Sequence, residues 1–327
     1  MQFKTLPQRK NWKTQVEDIG FNFHTHESGA YWSEGQYFHF QASEIIKLEQ
    51  AANELQQLCF DAIDEVIRKN KFSQMAIPEN CVQPIIESWE RQDPSMYGRF
   101  DFSYHGPDQI KLLEYNADTP TSLIESSIIQ YLWLRDQKAF LGGSNVDQFN
   151  SLHESLVDFW KWYKQECKPE SDLVHFTCLQ YEDEDERTTE YIKDCCQQAG
   201  LQAKLIFLDE IGWDGEDFFD LEEEKIQHLF KLYPWEILRQ EKFGQHLLSS
   251  KVRCLEPAWK MILSNKALLP VLWELAPGHP YLLPSFAMGH PMVGVWMVGE
   301  QACGLGIRQS QGLITDNRSQ YVPHIIR

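Results

Sequence analysis

Aromatic and polar residues alternate along residues 97–104, which read YGRFDFSY. Successive side chains of a β-strand point to opposite faces, so Phe100, Phe102 and Tyr104 share one face and Arg99 and Asp101 the other. The sequence HGPD that follows is typical of a turn, and residues 110–116 are predicted to return as a second strand. The pattern therefore predicts a half-buried β-hairpin.

The simplest register of this hairpin places Tyr104 opposite Gln109. Continued along the strands, it places Arg99 opposite Glu114. On this pairing the polar residues that would share one face are Arg99, Asp101, Glu114 and Asn116.

Apolar residues at helical spacing predict a long helix over residues 43–70, with Ser43 as its N-cap, and a second helix over residues 121–135. Further on, a strand beginning at Leu173, a helix over residues 188–198 and the strand LQAKLIFL together form a βαβ pattern. The chain is therefore predicted to be an α/β protein. Neither a GxGxxG motif nor a Walker loop accompanies these elements.

The composition narrows the class of protein. A chain of 327 residues with 43% hydrophobic content can bury a sizeable core. It has no run of about 18 apolar residues and no apolar segment at its start, so we expect a cytoplasmic protein that does not bind a membrane. Its net charge of −18 argues against nucleic acid as a partner and would suit a cationic substrate, although solubility alone also explains it. Its eight cysteines form no CxxC pair, so we expect free thiols.

The polar face of the hairpin carries the most specific candidate chemistry. A divalent cation that bridges phosphates prefers oxygen ligands, which Asp101, Glu114 and the amide oxygen of Asn116 could supply. Arg99 beside them could hold a phosphate oxygen. The same residues could instead form a ladder of ion pairs on a solvated sheet face, and spacing alone does not separate the two hypotheses.

Two weaker candidates lie elsewhere. His24 and His26 would lie on one face of a strand and could bind zinc or copper, but no third ligand is nearby and the surrounding aromatic residues are typical of a core. Lys266 could reach a nucleotide phosphate or be a surface residue. No GxSxG motif supports a hydrolase.

Four segments follow one another along the chain: YGRFDF…KLLEYNADTPT, KLYPWE, EPAWKMILSNKALLPVLW and GLGIRQSQGLITDNRSQYVPH. In this order they resemble the synthetase module of glutathionylspermidine synthases and their stand-alone bacterial relatives, which are acid–amine ligases. The resemblance spans nearly the whole chain and implies an ATP-grasp fold that holds Mg-ATP between two α/β lobes. It further implies that a carboxylate is activated as an acyl phosphate, which an amine then attacks to form an amide.

The resemblance also implies roles for individual residues. Arg99 would stabilise the transition state, and Arg308 would lie near the transferring phosphate. The implied magnesium ligands are Asp101, Glu114 and Asn116; the implied nucleotide contacts are Arg99, Phe100, Asp101, Lys266, Leu313, Ile314 and Thr315; and the implied contacts to the acid and the polyamine-like amine are Thr119, Thr121, Asp185 and Glu186. Ile237 and Gln320 depart from the polar or acidic residues that the family pattern has there, so the acid and the amine could both differ from glutathione and spermidine.

The chain departs from the family pattern most strongly between Met288 and Gly289, where a VVKP strand and a glycine-rich loop that closes over ATP have no counterpart. Either the protein lacks this segment, which would put ATP turnover in question, or a mobile segment is absent from the numbered chain. The retained flanks favour the second explanation.

These observations predict an ATP-dependent carboxylate–amine ligase with ATP and Mg²⁺ as cofactors. Two alternatives stay open: an ATPase that acts on a protein or peptide carboxylate, and a nucleotide-binding module without turnover. The expected sub-regions are an N-terminal lobe with the hairpin (1–140), an α/β subdomain (141–255) and an ATP-grasp C-terminal lobe (256–327).

Overall fold

The computed structural model describes residues 1–27, 29–167, 171–282, 292–309 and 320–326. Short 3₁₀ turns lie at Phe72–Met75, Gly143–Asn145 and Leu208–Glu210, and π-helical turns at Glu125–Ile129 and Tyr163–Cys167. The helices are α1 (Trp12–Glu17), α2 (Ala42–Arg68), α3 (Glu79–Glu90), α4 (Gln130–Leu141), α5 (Leu152–Trp162), α6 (Asp183–Gln198), α7 (Trp235–Leu238), α8 (Lys242–Leu248), α9 (Lys260–Leu263) and α10 (Leu268–Leu275). The strands are β1 (Gln2–Thr5), β2 (Thr25–His26), β3 (Gly29–Ala30), β4 (Gln36–Phe40), β5 (Tyr97–Tyr104), β6 (Ile110–Asn116), β7 (Leu173–Cys178), β8 (Gln202–Phe207), β9 (Gly212–Trp213), β10 (Phe218–Phe219), β11 (His228–Lys231), β12 (Arg253–Leu255), β13 (Met292–Val298), β14 (Gln301–Gln309), β15 (Gln320–Tyr321) and β16 (His324–Ile326).

The predicted hairpin is confirmed: β5 and β6 are antiparallel neighbours in a five-stranded sheet of order β15-β14-β13-β5-β6. The predicted register is wrong at two places. At the turn, Tyr104 pairs with Ile110 and not with Gln109, and a bulge between Asp101 and Phe102 then adds a further shift, so Arg99 pairs with Asn116. A bulge places two residues opposite one, so counting outward from the turn loses the register beyond it.

The expectation of a half-buried hairpin is also wrong for its first strand. Every residue of β5 is buried, because β13 pairs along its other edge and both faces are covered. The polar residues of this strand consequently lie inside the protein, where their charges cost free energy unless they are paired.

A second, four-stranded sheet is parallel throughout and has the order β12-β11-β7-β8. Its β7–α6–β8 unit is the predicted βαβ element, which confirms that prediction. Helix α6 begins at Asp183, several residues before the predicted start, so its first turn is entirely acidic. Gly200, with a φ of 86°, follows the helix in the left-handed conformation that glycine accepts without strain.

The long predicted helix is α2, which begins at Ala42 and is capped differently from the prediction. Gln41 and not Ser43 is the N-cap residue, and its backbone N–H donates to the Glu44 carboxylate at 2.8 Å. The second predicted helix is represented by the π-helical turn and α4, which ends only at Leu141.

The strands of the parallel sheet all lie within the expected α/β subdomain, 141–255. The two outer sub-regions, in contrast, share sheets: β5 pairs with β13, and β4 pairs with β16. The boundaries of the three sub-regions stay a prediction. Because the hairpin of the first region and the β13–β14 strands of the last lie side by side, residues far apart in sequence meet on one sheet face.

All eight cysteines lie among the described residues and are free thiols, as expected. The helices of the described residues include none that is both long and apolar enough to span a membrane. The aromatic residues around His24 form part of a core, as predicted, with Phe21 and Trp32 buried.

Candidate active site

The polar face of β5 is organised around a buried ion pair. Arg99 donates two parallel hydrogen bonds to Asp101, from Nε to Oδ1 at 2.7 Å and from Nη2 to Oδ2 at 3.1 Å. Both side chains are almost completely buried. Burial by itself would lower the pKa of Arg99, but the Asp101 carboxylate outweighs it and the net pKa is raised. The guanidinium is therefore a permanent charge, and it lies between Asp101 and the backbone carbonyl of Thr121, which accepts from Nη1 at 2.5 Å.

The two residues predicted on β6 converge on the same point. The Asn116 amide nitrogen donates to Asp101 Oδ2 at 2.9 Å and to Glu114 Oε1 at 3.3 Å. Arg99 thus pairs with Asp101 of its own strand, and the cross-strand pair with Glu114 that the ion-pair ladder required is not formed. The shared face is confirmed, although the register that suggested it was wrong.

This geometry fits a magnesium ion. Oxygen ligands at the usual 2.0–2.1 Å in octahedral geometry lie about 3 Å from their neighbours, which is the spacing of the Asn116 amide from Asp101 and from Glu114. The nitrogen and oxygen of a side-chain amide are assigned from their hydrogen bonds, and a flip of Asn116 would present its oxygen to the same point. Asp101 would then be shared between the metal and Arg99.

Glycines on the neighbouring strands make room beside this face. Gly294 of β13 lies opposite Asp101, and Gly306 of β14 lies opposite Gly294. A Cβ atom on Gly294 would lie 2.6 Å from Arg99 Cδ, and one on Gly306 would overlap the Tyr321 hydroxyl. The two glycines therefore create a trough in the sheet that the Arg99 and Tyr321 side chains occupy.

Arg308 of β14 reaches the same trough. A small cavity of about 10 Å³ is lined by Arg99, Asp101, Gly294, Gly306, Arg308 and Tyr321. The cavity is no larger than one water molecule needs. The structure therefore brings together the two arginines that were assigned to the transferring phosphate, in a closed arrangement.

Two acids near this face, Glu125, which is buried, and Glu184, which is partly buried, were missed by the sequence reasoning. Glu125 is 1% exposed and accepts a hydrogen bond from the Tyr31 hydroxyl at 2.5 Å. Burial, and then the nearby Glu184, raise the pKa of Glu125 to about 8. Burial also raises the pKa of Glu184, against the backbone N–H of Ser122 and the charges of Arg308 and Arg99. The two acids lie in the segments TSLIESS and YEDEDER, but the spacing of these segments along the chain gives no indication that Glu125 and Glu184 lie close together.

The predicted substrate residues lie around these acids. Thr119 and Thr121 are partly buried in the loop that follows β6. Asp185 lies in the first turn of α6, and burial together with Glu184 and Glu182 raises its pKa to about 6. Glu186 of the same turn accepts from the backbone N–H of Tyr181 at 2.8 Å and so fixes the start of the helix.

Other predicted nucleotide contacts are less well placed. The Phe100 ring stacks on Tyr115 at 3.9 Å, in the core on the opposite face, so only its backbone could contact a nucleotide. Lys266 is exposed in the turn between α9 and α10 and, within the described part of the chain, makes no hydrogen bond or ion pair. Residues 313–315 (Leu313, Ile314 and Thr315) lie outside the described residues.

The residues that departed from the family pattern lie near the surface. Ile237 is 47% exposed on α7. Gln320 of β15 donates to the Ala30 carbonyl at 3.3 Å. Neither presents a carboxylate where the family pattern has a polar or acidic residue.

The predicted histidine pair does not come together as a metal site. His24 is buried and contacts Thr25 and Glu17, at 2.7 and 2.9 Å. Among the described residues, the group with ligands close enough for a metal is His175, Asp220 and Glu224. Lys204 Nζ lies 2.6 Å from Asp220 and 3.3 Å from Glu224, so an ammonium group already takes the position between these carboxylates.

A large cavity of about 1550 Å³ lies away from the hairpin face. It is an open cleft between α2, α3 and α5, with Phe60, Trp89 and Trp162 among its walls. Size is a poor guide here, because the convergent charges lie in the closed trough.

The fold is shared with a solved protein of the glutathione synthetase type. A glutathione synthetase-like effector from Globodera pallida superimposes with a TM-score of 0.54, over 96% of this chain and 96% of that chain, at 10% sequence identity. The predicted α/β fold of ATP-grasp type is thereby confirmed.

The chain belongs to the glutathionylspermidine synthase family, since the family model described as glutathionylspermidine synthase preATP-grasp matches residues 3–292 and 284–327. A protein of Haemophilus influenzae with the provisional name acid–amine ligase is 32% identical over 98% of both chains. The glutathionylspermidine synthase of Crithidia fasciculata is 25% identical over 77% of this chain, and the bifunctional glutathionylspermidine synthetase/amidase of Escherichia coli is 26% identical over 81%. This chain spans 39% and 46% of the length of those two proteins. The predicted family is confirmed.

The comparisons also bear on the departure at Met288. The two ranges matched by the family model meet at residues 284–292. The alignment with the Haemophilus influenzae protein extends over 389 positions, whereas this chain has 327 residues, so part of that relative has no counterpart here. The junction of Met288 and Gly289 itself lies outside the described residues.

Proposed function

We propose that this chain is an ATP-dependent carboxylate–amine ligase that uses Mg²⁺. The observation that carries the proposal is the convergence of Asp101, Glu114 and Asn116 on one point beside the buried Arg99, in a chain that belongs to a family of ligases. Such a constellation supplies positioning and positive charge, which are what phosphoryl transfer requires of a protein.

Each part of the face has a role in the proposal. Asp101, Glu114 and Asn116 would hold magnesium, which neutralises phosphate charge when bound. Arg99 would stay in contact with Asp101 and present its Nη groups to a phosphate oxygen, and Arg308 would approach from the other side of the trough. The cavity between these side chains is no larger than one water molecule, so a phosphate held there by both arginines requires Tyr321 or Arg308 to move.

The carboxylate substrate is proposed to lie along the loop after β6. Thr119 and Thr121 lie there with hydroxyl groups that can donate to a carboxylate, and the Thr121 carbonyl already contacts Arg99. A carboxylate at this position would be within reach of a phosphate held by Arg99. Attack by the carboxylate would then give an acyl phosphate and release ADP.

The amine is proposed to bind at the buried acids. Burial raises the pKa of both Glu125 and Glu184, and the Glu184 carboxylate raises the pKa of Glu125 further, so this environment disfavours two negative charges. An ammonium group would relieve this repulsion, and a carboxylate there can take the proton that the amine must lose before it attacks. The acidic first turn of α6, including Asp185, would favour an amine with more than one positive charge.

The test is ADP release from the purified chain with Mg-ATP, an acid and an amine. Glutathione and spermidine serve as first probes, and release should rise when both are added together. Efficient amide formation from this particular pair is not expected, since Ile237 and Gln320 lack the groups that would recognise it.

Two alternatives give different results in the same assay. An ATPase that acts on a peptide carboxylate would release ADP with peptides and without any amine. A nucleotide-binding module would bind Mg-ATP without turnover under every pair of substrates. The shortened region around Met288 makes the second alternative the one to exclude first, by single-turnover measurements.

A further inference from the structure

A second buried ion pair joins the hairpin to the parallel sheet. Lys231, at the end of β11, donates from Nζ to Asp118 Oδ1 at 2.7 Å, and both side chains are 2% exposed or less. The other carboxylate oxygen of Asp118 accepts from the backbone N–H of Trp235 at 2.7 Å. Lys231 also donates to the Tyr233 carbonyl at 3.1 Å and lies 4.5 Å from the centre of the Trp235 ring.

One carboxylate thus connects three segments. Asp118 lies two residues beyond Asn116 and opens the loop after β6. Lys231 ends a central strand of the parallel sheet, and Trp235 begins α7. In open parallel sheets ligands bind outside the carboxyl ends of the strands, which is where these segments meet.

The same loop is held at its far end. The Thr121 carbonyl accepts from Arg99, and the Ser122 hydroxyl lies 3.2 Å from the Tyr31 hydroxyl. Ser122 has a φ of 67°, a conformation that a residue other than glycine adopts only when its surroundings hold it there. Residues 119–121 are consequently held between two fixed points, with the side chains of Thr119 and Thr121 partly accessible.

Stability alone does not explain the Lys231–Asp118 pair. Buried ion pairs of this kind contribute little compared with apolar residues of equal volume, because desolvation cancels much of the attraction. What the pair does supply is a fixed distance. Asp118 contacts Trp235, the first residue of α7. Thr119 and Glu236, the next residue of each segment, therefore lie directly beside this contact.

We propose that the Lys231–Asp118 pair positions the acid substrate by fixing the loop of residues 119–121 against α7. Lys231 and Asp118 act through Thr119 and Thr121, so they are positioning residues. The inference rests on the proposed function for its substrate, but the rigidity of the loop can be measured without any substrate.

The main variant is Lys231→Met, which keeps the length of the side chain and removes its charge. Lys231→Arg is the conservative variant, and Asp118→Asn keeps an acceptor for Trp235 if the first variant does not fold. The matched control is Lys204→Met, which breaks another lysine–aspartate pair of the same sheet, that with Asp220, and touches none of the proposed site residues.

The first measurement is hydrogen exchange of the unliganded proteins. In Lys231→Met, the protection of backbone amides from exchange should fall at least tenfold in the peptide that covers residues 117–124. In Lys204→Met, the protection of this peptide should stay as in the wild type. Equal protection of this peptide in wild type and Lys231→Met, or equal loss in both variants, would overturn the proposal.

The second measurement is kinetic, with glutathione as the acid. Lys231→Met should raise KM for the acid at least tenfold, leave the affinity for Mg-ATP within twofold and be partly rescued in Lys231→Arg. A fall in kcat with an unchanged KM would contradict the positioning role. If wild type shows no acid-dependent ADP release, the proposed function fails, and hydrogen exchange alone decides whether the pair fixes the loop.

Discussion

The hairpin face and the polar cluster of the parallel sheet are both built from buried charges, but they are satisfied to different degrees. In the parallel sheet, Asp220 receives Lys204 Nζ at 2.6 Å, His175 Nε2 at 3.1 Å and the backbone N–H groups of residues 222 and 224. Burial would raise the pKa of Asp220, but these donors outweigh it and the net pKa is well below its usual range. The Asp220 carboxylate is therefore fully paired with donors from within the protein.

The hairpin side has an excess of acceptors. Within the described part of the chain, Glu114 receives only the long contact from Asn116, and Glu125 and Glu184 have raised pKa values. A cluster whose acceptors are met from within the protein stabilises the fold, whereas one with acceptors left over is prepared for a cation. The comparison shows that a high density of charged groups does not by itself indicate a binding site. A shortage of hydrogen-bond donors for the acidic groups does indicate one.

The largest expected effect is that of Glu114→Gln on catalysis. The change should lower Mg-dependent phosphate release by at least about 10²-fold, the scale lost with one preorganised electrostatic contact to a transition state. The melting temperature should hardly change, because Glu114 forms no ion pair with any of the described residues. Phosphate release measures the loss of catalysis, and thermal melting of the same preparation measures the effect on stability.

Asp101→Asn and Asp220→Asn serve as comparisons for that experiment. Asp101→Asn should lose activity and also stability, because Arg99 would be left buried without its carboxylate. Asp220→Asn should lose stability and keep its activity per folded molecule. If Glu114→Gln melts earlier and still turns over, the hairpin face is an ion-pair network and the magnesium assignment is wrong.

The next effect concerns Glu125→Gln, which should stabilise the protein and weaken amine binding. A carboxyl group whose pKa is raised to about 8 in the folded state stabilises folding fully only below its unfolded pKa of about 4.3. That stability is lost as the pH rises toward 8, so the variant should gain on the order of 4 kcal/mol at pH 7.5. Chemical denaturation at pH 5 and pH 7.5 measures this difference.

The same variant should raise KM for the amine by about 10–100-fold, the value of a hydrogen bond to a charged group. Gln keeps the contact with Tyr31, so loss of packing is not expected. A gain in stability without any effect on KM would show that Glu125 is strained for a reason other than the amine.

A smaller effect of opposite sign is expected in the parallel sheet. Burial and then Arg253 lower the pKa of His228 to about 4, while the unfolded chain keeps a value of about 6.5. The stability from the neutral ring is complete above pH 6.5 and is lost as the pH falls toward 4. When the pH is lowered from 8 to 5.5, the free energy of unfolding should therefore fall by about 1 kcal/mol less in His228→Gln than in the wild type.

Denaturant melts of both proteins at the two pH values provide this comparison. His228 contacts the Tyr163 hydroxyl at 2.6 Å, a bond that glutamine can also make. Identical pH profiles would mean that acid sensitivity comes from other groups.

The smallest effect is that of Lys266→Ala. The side chain is exposed, so its removal should leave the melting temperature unchanged and weaken Mg-ATP binding only a few-fold, the scale of exposed charge pairs. Nucleotide-induced thermal stabilisation should shrink accordingly. An unchanged thermal shift with Mg-ATP would remove Lys266 from the nucleotide site.

The sequence by itself determined the hairpin, the βαβ unit and the family. Alternation with a period of two specified the two strands, and the residue types on the polar alternation specified magnesium-compatible oxygens. These signals are local: they depend on neighbours within a few residues. The same local logic failed at the bulge after Asp101 and at the cap of α2, where the backbone departs from the regular repeat.

Only the tertiary structure decided which charges meet. The insertion of β13 and β14 beside β5 buried the polar face, brought Gly294, Gly306 and Arg308 to it and turned a possible surface ladder into an internal site. It likewise placed Glu125 near Glu184 and Lys231 against Asp118. These pairs are separated by long stretches of chain, and their distances follow from the packing of whole sheets, which no short-range pattern encodes.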